Sequence, residues 1–333
     1  MNETMVAHAR DRAVALIQSS KAVYLGTHVR PDGDALGSLL GLALALEGQG
    51  KRVARLSADR APQSYQFLPG ADRLSCEPPE WPAEVGIVVD CDGLARVGPL
   101  ESVFAGLPHL IDIDHHGTDQ SFGEVQLVDS SAAAAAEIVY GLLGALGVQA
   151  DAAIATCLYA GILTDTGRFC YGNTTAESIR IASELVAAGA EPHDIARRIY
   201  EERSFGATHL LGVALTRLAP NHDSEIVSAM LTRGDFADTG ATPADTEGII
   251  DHLRAIGGRR VAALFVELEE ERVRVSLRSD GSVDVGEMAL SFGGGGHAMA
   301  AGCTAPGSLE EVRDQVLTAV RSALSRSNCS HAG

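Results

Sequence analysis

Apolar residues along this chain come in short runs separated by glycine, proline and acids, and the length of the runs alternates. Residues 21–26, apolar after Lys21, read as a buried strand. Residues 35–47 stay apolar too long for a strand and predict a helix, with Asp34 as N-cap and Gly48 and Gly50 as its stop. Further β-prone runs lie at 51–56, 85–89, 109–113 and 125–128, and Ala/Leu-rich helices are predicted at 132–146 and 152–163. Strands alternating with helices predict an α/β fold with a doubly wound, mostly parallel sheet over residues 1–190. Residues 176–189 and 192–218 look helical almost throughout, and 191–220 is expected to be a helical connector. The pattern then changes. Strands are predicted at 225–231, 260–268 and 272–277, the last two as a hairpin, and helices at 245–255, 284–292 and 309–324. Residues 221–330 therefore predict a second, smaller α/β domain, in which Gly293 to His297 reads as a loop.

In a doubly wound sheet, ligands bind outside the carboxyl ends of the strands. Candidate chemistry lies at those ends. The run at 21–26 leads into His28-Val-Arg-Pro-Asp32-Gly-Asp34, the run at 85–89 into Asp90, and the run at 109–113 into Asp114-His115-His116. Asp165 lies in Thr164-Asp165-Thr166-Gly167, after a helix, where the two threonines are placed to orient it. Carboxylate oxygens and imidazole nitrogens together suit a pair of divalent cations, Mn²⁺ foremost, with Mg²⁺, Zn²⁺ or Co²⁺ as alternatives. Asp90 is well placed to bridge two ions, and Asp92 reads as a structural acid. Neighbouring side chains on an extended strand point to opposite sides. One histidine of the pair is thus expected to ligate metal and the other to face a phosphate as proton donor, with Asp114 orienting an imidazole. Gly294, Gly295 and Gly296 offer backbone N–H donors, His297 closes that run, and Arg278 ends a strand where its guanidinium suits a phosphate.

Composition narrows the partners. Acids outnumber bases 44 to 26, for a net charge of −18, so the global field repels a long polyanion, and long duplex nucleic acid is not expected as a partner. A short anionic substrate remains compatible if bound cations reverse the sign locally. Six scattered cysteines without a Cys-x-x-Cys pair predict free thiols in a reducing cytoplasm. The longest leucine-rich run, 39–46, is too short to span a bilayer, so no membrane association is expected.

Taken in order, these segments resemble the DHH–DHHA1 phosphoesterases, over about residues 20–325, and within them the bacterial nanoRNase/pAp-phosphatase branch, where pAp is 3′-phosphoadenosine 5′-phosphate. The resemblance implies one metal on His28, Asp32 and Asp90 and a second on Asp34, Asp90, His115 and Asp165. It makes His116 the substrate-facing histidine and gives Gly294, Gly295, Gly296, His297 and Arg278 the phosphate-binding role of the second domain, with the active site in the cleft between the domains. It implies hydrolysis of short oligonucleotides and dinucleotides, dephosphorylation of pAp, and a homodimer as a family-level expectation. Alternatives are a RecJ-type 5′–3′ single-strand exonuclease, a cyclic-dinucleotide phosphodiesterase, a family II inorganic pyrophosphatase, and a catalytically silent nucleotide sensor. The chain departs from the pattern at Phe169-Cys170, where Phe-Arg is frequent, and at Ala298, where a basic residue is common.

Overall fold

The structure, a computed structural model, describes residues 3–116, 122–218, 225–269 and 271–330, without the side chains of Glu3, His297 and 328–330. It comprises two compact units, Met1–Glu202 and Arg203–Gly333. The first contains α1 (Glu3–Ser19), β1 (Ala22–Gly26), α2 (Gly33–Gly48), β2 (Arg52–Leu56), β3 (Leu74–Ser75), β4 (Val85–Val89), α3 (Glu101–Ala105), β5 (His109–Asp114), β6 (Val125–Val128), α4 (Ala135–Ala145), α5 (Ala152–Asp165), α6 (Ala176–Ala187) and α7 (Pro192–Ala196). The second contains α8 (Phe205–Thr216), β7 (Ile226–Leu231), α9 (Arg233–Thr239), α10 (Ile249–Arg254), β8 (Val261–Glu267), β9 (Arg272–Ser279), α11 (Val285–Ser291), β10 (Gly295–His297), β11 (Ala300–Pro306) and α12 (Leu309–Ser330).

The expected doubly wound sheet is present. Six strands in the order β3-β2-β1-β4-β5-β6 pair in parallel throughout. β1 and β4 are buried along their whole length, which is why they read as unbroken apolar runs rather than alternating ones. The strand order reverses between β1 and β4, and that switch point is where such a sheet opens a crevice.

Helix α2 is buried almost all round. It lies against α5 through glycines. A Cβ on Gly37 would stand 2.4 Å from the Cys157 carbonyl oxygen, one on Gly41 2.8 Å from Leu158, and one on Gly161 2.7 Å from Asp34 Oδ1. Gly37→Ala is therefore expected to destabilise the protein by about 2 kcal/mol, because the atom it meets is backbone and cannot rotate away. Urea unfolding should show a lower midpoint with an unchanged slope, and an unchanged midpoint would mean that the two helices can separate freely.

The second unit is a mixed sheet in the order β10-β11-β9-β8-β7, with β7 and β8 parallel and the other pairs antiparallel. The expected hairpin is β8–β9. Half of the expected glycine loop is instead edge strand β10, since Gly295, Gly296 and His297 pair with β11. The stretch 191–220, expected as one connector, is divided. The break between units falls after Glu202, and α8 packs on β7 and α9 through buried Leu210 and Ala214. Among the described residues Cys76, Cys91, Cys157, Cys170 and Cys303 are free thiols, and no helix is long and apolar enough to cross a membrane.

Candidate metal centre

The ends of β1, β4 and β5, the start of α2 and the end of α5 converge at the switch point. Their acids and imidazoles form one cluster. His28, Asp32 and Asp90 have ligand atoms within 4.8 Å of one another, as do Asp34, His115 and Asp165, and as do Asp90, His115 and His116. All seven side chains expected around the cations are thus brought together. Asp34, Asp90, His28 and His115 form the buried floor, while Asp32 is exposed and Asp165 and His116 are half-buried, so the cluster opens on that side.

Each ligand is fixed by local backbone chemistry. The N-cap of α2 is Asp32 rather than Asp34: its Oδ1 accepts from the Asp34 and Ala35 amides, both at 3.1 Å. The helix begins two residues earlier than expected because Gly33 already adopts helical geometry. Asp34 is thereby turned inward, where it accepts from Ser38 Oγ at 3.1 Å and from the amides of Ala135 at 2.6 Å and Ala136 at 3.0 Å. Its carboxylate sits at the positive ends of both α2 and α4. Asp90 has φ +54°, a left-handed conformation that Asp tolerates better than most residues, held by its amide donating to the Ile113 carbonyl at 2.9 Å. Asp165 closes α5. Thr164 and Thr166 do not orient it as expected; their hydroxyls donate to carbonyls of their own helix, at Ala160 and Ile162.

The two histidines also depart from expectation. β5 ends at Asp114, so strand alternation stops there and both rings turn toward Asp90, with centroids 4.7 Å apart. They are told apart by their partners. His115 Nε2 lies 3.5 Å from Asp90 Oδ1, 3.4 Å from Asp165 Oδ2 and 4.0 Å from Asp34 Oδ2. His116 Nδ1 is hydrogen-bonded to Asp114 Oδ1 at 2.6 Å, and that oxygen also accepts the His115 amide. Asp114 thus orients His116, as expected for that pair.

The residues fit a pair of cations on an observation internal to the cluster. Asp90 is 3% exposed, yet its Oδ1 has no hydrogen-bond partner. The separations of 3.4–4.0 Å between His115 or His28 and the acids are too long for hydrogen bonds. They suit atoms each about 2.0–2.2 Å from a shared ion. The two arms of Asp90 also diverge, with Oδ2 3.7 Å from His28 Nε2 and Oδ1 toward His115. Electrostatics agree. Burial and the neighbouring carboxylates Asp90 and Asp165 push Asp34 well above the usual carboxylate range. Burial pushes Asp165 up to about 7. Against the opposing effect of burial, the surrounding acids raise His115 to about 11 and His28 to about 9. Bringing this many acids together in a buried place is what a pair of cations would offset.

Two buried acids escaped the sequence reading. Glu137, in the first turn of α4, has a buried Oε1 without a partner, and burial raises it to about 7. Asp112 is 1% exposed, its Oδ2 accepts the Phe122 amide at 3.3 Å, and its Oδ1 has no hydrogen-bond partner among the described residues. The signal for Asp112 is the Asp-x-Asp spacing on β5, which puts it on the same face as Asp114. Burial, then the Asp114 charge, pushes Asp112 up to about 8 from an ordinary 3.8. The folded state therefore holds this proton more tightly than the unfolded chain, and stability falls as pH rises from about 4 to about 8. Asp112→Asn is expected to stabilise the protein by on the order of 2 kcal/mol at pH 8 and by little at pH 4. Denaturant melts at the two pH values test this, and an equal effect at both would remove the titration.

Asp92, expected to be structural, pairs with Arg96 at 3.3 Å. After Asp165 the chain passes through three consecutive left-handed residues, Gly167, Arg168 and Phe169, and the Arg168 guanidinium lies over the Tyr200 ring. Cys170 is exposed. In the second unit, Arg278 faces Ala300 across β9–β11, and Ala300 faces His297 across β11–β10, so the expected phosphate contacts share one row of the sheet. Arg278 Nε lies 3.6 Å from Asp251 Oδ1. Gly294 and Gly296 are also needed for packing, since a Cβ on either would meet β11 backbone at 2.1 and 2.6 Å. The His297 side chain lies outside the described residues.

Residues 22–162 match the DHH family, N-terminal domain, and residues 223–326 match the DHHA1 domain. The chain is 39% identical over 310 residues to the bifunctional oligoribonuclease and PAP phosphatase NrnA of Thermus thermophilus, covering 91% of this chain and 90% of the relative. It is 28% identical to the protein of the same name from Bacillus subtilis, covering 85% and 88%. An exopolyphosphatase-related protein from Bacteroides fragilis superposes with a TM-score of 0.88 over 98% of both chains at 26% identity. With both domain matches in the expected order and a relative of this identity along nearly its whole length, the chain belongs to the DHH phosphoesterases that carry a DHHA1 domain.

Proposed function

We propose that this protein hydrolyses short oligonucleotides and dinucleotides to mononucleotides and removes the 3′-phosphate of pAp, using two divalent cations, Mn²⁺ foremost. The observation that carries this is the buried, unpartnered carboxylate of Asp90 between two sets of ligands, in a chain whose full-length relatives bear those two activities in their names. His28, Asp32 and Asp90 would hold one cation and Asp34, Asp90, His115 and Asp165 the other. When bound, the cations supply Lewis acidity that activates water and neutralises phosphate.

The chain's own groups do the rest. Asp34, locked by three donors, cannot swing when ligand charges change. The Asp114 hydrogen bond at Nδ1 orients His116, whose Nε2 would meet the substrate. Against the opposing effect of burial, the Asp114 hydrogen bond and the Asp90 charge raise its pKa, which favours the protonated ring as a proton donor. As water oxygen bonds to phosphorus and the ester P–O bond breaks, the leaving oxygen takes that proton. Arg278, the amides of Gly294, Gly295 and Gly296, and His297 bind a terminal nucleotide or phosphate. The net charge of −18 disfavours long polymers. The free thiols support a cytoplasmic setting.

The test is a Mn²⁺-supplemented assay against pAp, a 5′-phosphorylated dinucleotide, a long single-stranded RNA and pyrophosphate. Turnover of the first two, with the others spared, is expected. Preference for the long RNA would replace this reading with a processive exonuclease, and silence on all four with tight nucleotide binding would replace it with a sensor.

A further inference from the structure

Arg30 stands in the loop that joins β1 to α2, two residues from His28 and two from Asp32. It is exposed, and among the described residues its guanidinium makes no ion pair and no hydrogen bond. Several other arginines around the sheet are engaged: Arg96 on Asp92, Arg55 and Arg73 on Glu47, and Arg168 over the Tyr200 ring.

The backbone at Arg30 is strained. Its φ is +54°, a left-handed conformation that a long side chain rarely adopts and that Gly or Asn would take at lower cost. The loop is pinned on both sides of that residue. The Arg30 amide donates to Asp59 Oδ2 at 2.7 Å, the Val29 amide donates to the Arg96 carbonyl at 2.8 Å, and His28 Nδ1 lies 2.8 Å from the Val29 carbonyl oxygen. These bonds impose the conformation through main-chain atoms, so nothing in the fold requires arginine here. Strain held by surrounding contacts, at a residue whose side chain serves no packing purpose, points to a ligand.

We infer that Arg30 is a specificity-determining residue that grips a phosphate of the substrate other than the one being cleaved. This rests on the function proposed above. The scissile phosphate has the cations. An exposed guanidinium in the loop that carries His28 and Asp32, without an intramolecular partner among the described residues, is suited to take a second phosphate through two parallel N–H···O bonds. A 5′-phosphorylated dinucleotide and pAp each carry such a second phosphate.

The experiment compares wild type, Arg30→Asn and Arg30→Lys on three substrates: a 5′-phosphorylated dinucleotide, the same dinucleotide without its 5′-phosphate, and bis(p-nitrophenyl) phosphate. Asparagine suits the left-handed backbone, so Arg30→Asn is expected to keep or raise the melting temperature and leave metal content unchanged. It should raise KM for the phosphorylated dinucleotide about tenfold or more, with kcat within about twofold, and shift the other two substrates by less than about twofold. Arg30→Lys should recover part of the loss, because it keeps the charge but not the fork. Equal losses on all three substrates, or no change on any, would overturn the assignment. If wild type cleaves bis(p-nitrophenyl) phosphate but neither dinucleotide, the substrate reading fails on its own. Arg30 is then judged by competition, pAp against AMP as inhibitors of that hydrolysis. Loss of a pAp preference in Arg30→Asn supports the phosphate grip, and an unchanged or absent preference ends it.

Discussion

Asp90→Asn should abolish hydrolysis, by about 10³-fold or more, while leaving the protein folded. The expected loss corresponds to ~4 kcal/mol of barrier, the scale on which cations stabilise a phosphoryl transition state. The fold should survive because asparagine adopts left-handed backbone as readily as aspartate, and Asp90 has φ +54°. The amide that fixes the turn, donating to the Ile113 carbonyl, is untouched. What changes is the charge. Asp90 is the one acid of the cluster held well below the usual carboxylate range, because, against burial, the imidazoles of His115 and His28 stabilise its anion. A neutral amide leaves those imidazoles facing each other without their common anion. Metal analysis should show fewer than two cations per chain, alongside a far-ultraviolet circular dichroism spectrum like that of wild type. Full metal content with lost activity would instead make Asp90 a group that acts on substrate.

His116→Ala is expected to lose rate by about 10²–10³-fold and to keep its metal. The distinction rests on the hydrogen bond at Nδ1. That nitrogen is 2.6 Å from Asp114 Oδ1, which orients the ring through an acid outside the proposed ligand sets. His115, by contrast, directs Nε2 at three acids of the cluster. Asp114→Asn should reproduce much of the His116 defect, since the amide can no longer hold the imidazole in that orientation and charge state. The decisive readout is the split between metal content and kcat. If His116→Ala also loses a cation, then the grouping of His116 with Asp90 and His115 describes a third ligand, and the proton must come from elsewhere.

Much of this was legible along the chain, for a definite reason. His28, Asp90 and His115 each follow an apolar run that must be a buried strand, and a parallel sheet delivers its strand ends to one edge. Spatial convergence of residues 28, 90 and 115 thus follows from topology alone. Asp165 reached the same place from α5, and its proximity depends on how α2 and α5 pack. The failures have a common cause as well. Whether Asp32 or Asp34 caps α2 depends on where the helix takes its first turn, and Ala135 and Ala136 decide it from a hundred residues away. The convergence of His115 and His116 depends on β5 ending at Asp114, a boundary that propensity does not locate. Asp112 and Glu137 look like ordinary strand and helix acids until burial removes their partners. β10 was hidden because glycines carry no strand signal, and only pairing with β11 makes them one.

The glycine contact between α2 and α5 has a bearing on ion choice. Asp34 stands on one helix and Asp165 ends the other; at Gly37 the two backbones meet directly, and at Gly161 the Asp34 carboxylate itself fills the space. The separation of the two backbones that carry these carboxylates is thus set by main-chain thickness, with no intervening side chain at Gly37 to change it. A spacing fixed in this way would favour ions whose radius it fits. Variation in metal preference among related chains should accordingly track the residues at positions 37, 41 and 161 as closely as the ligands themselves.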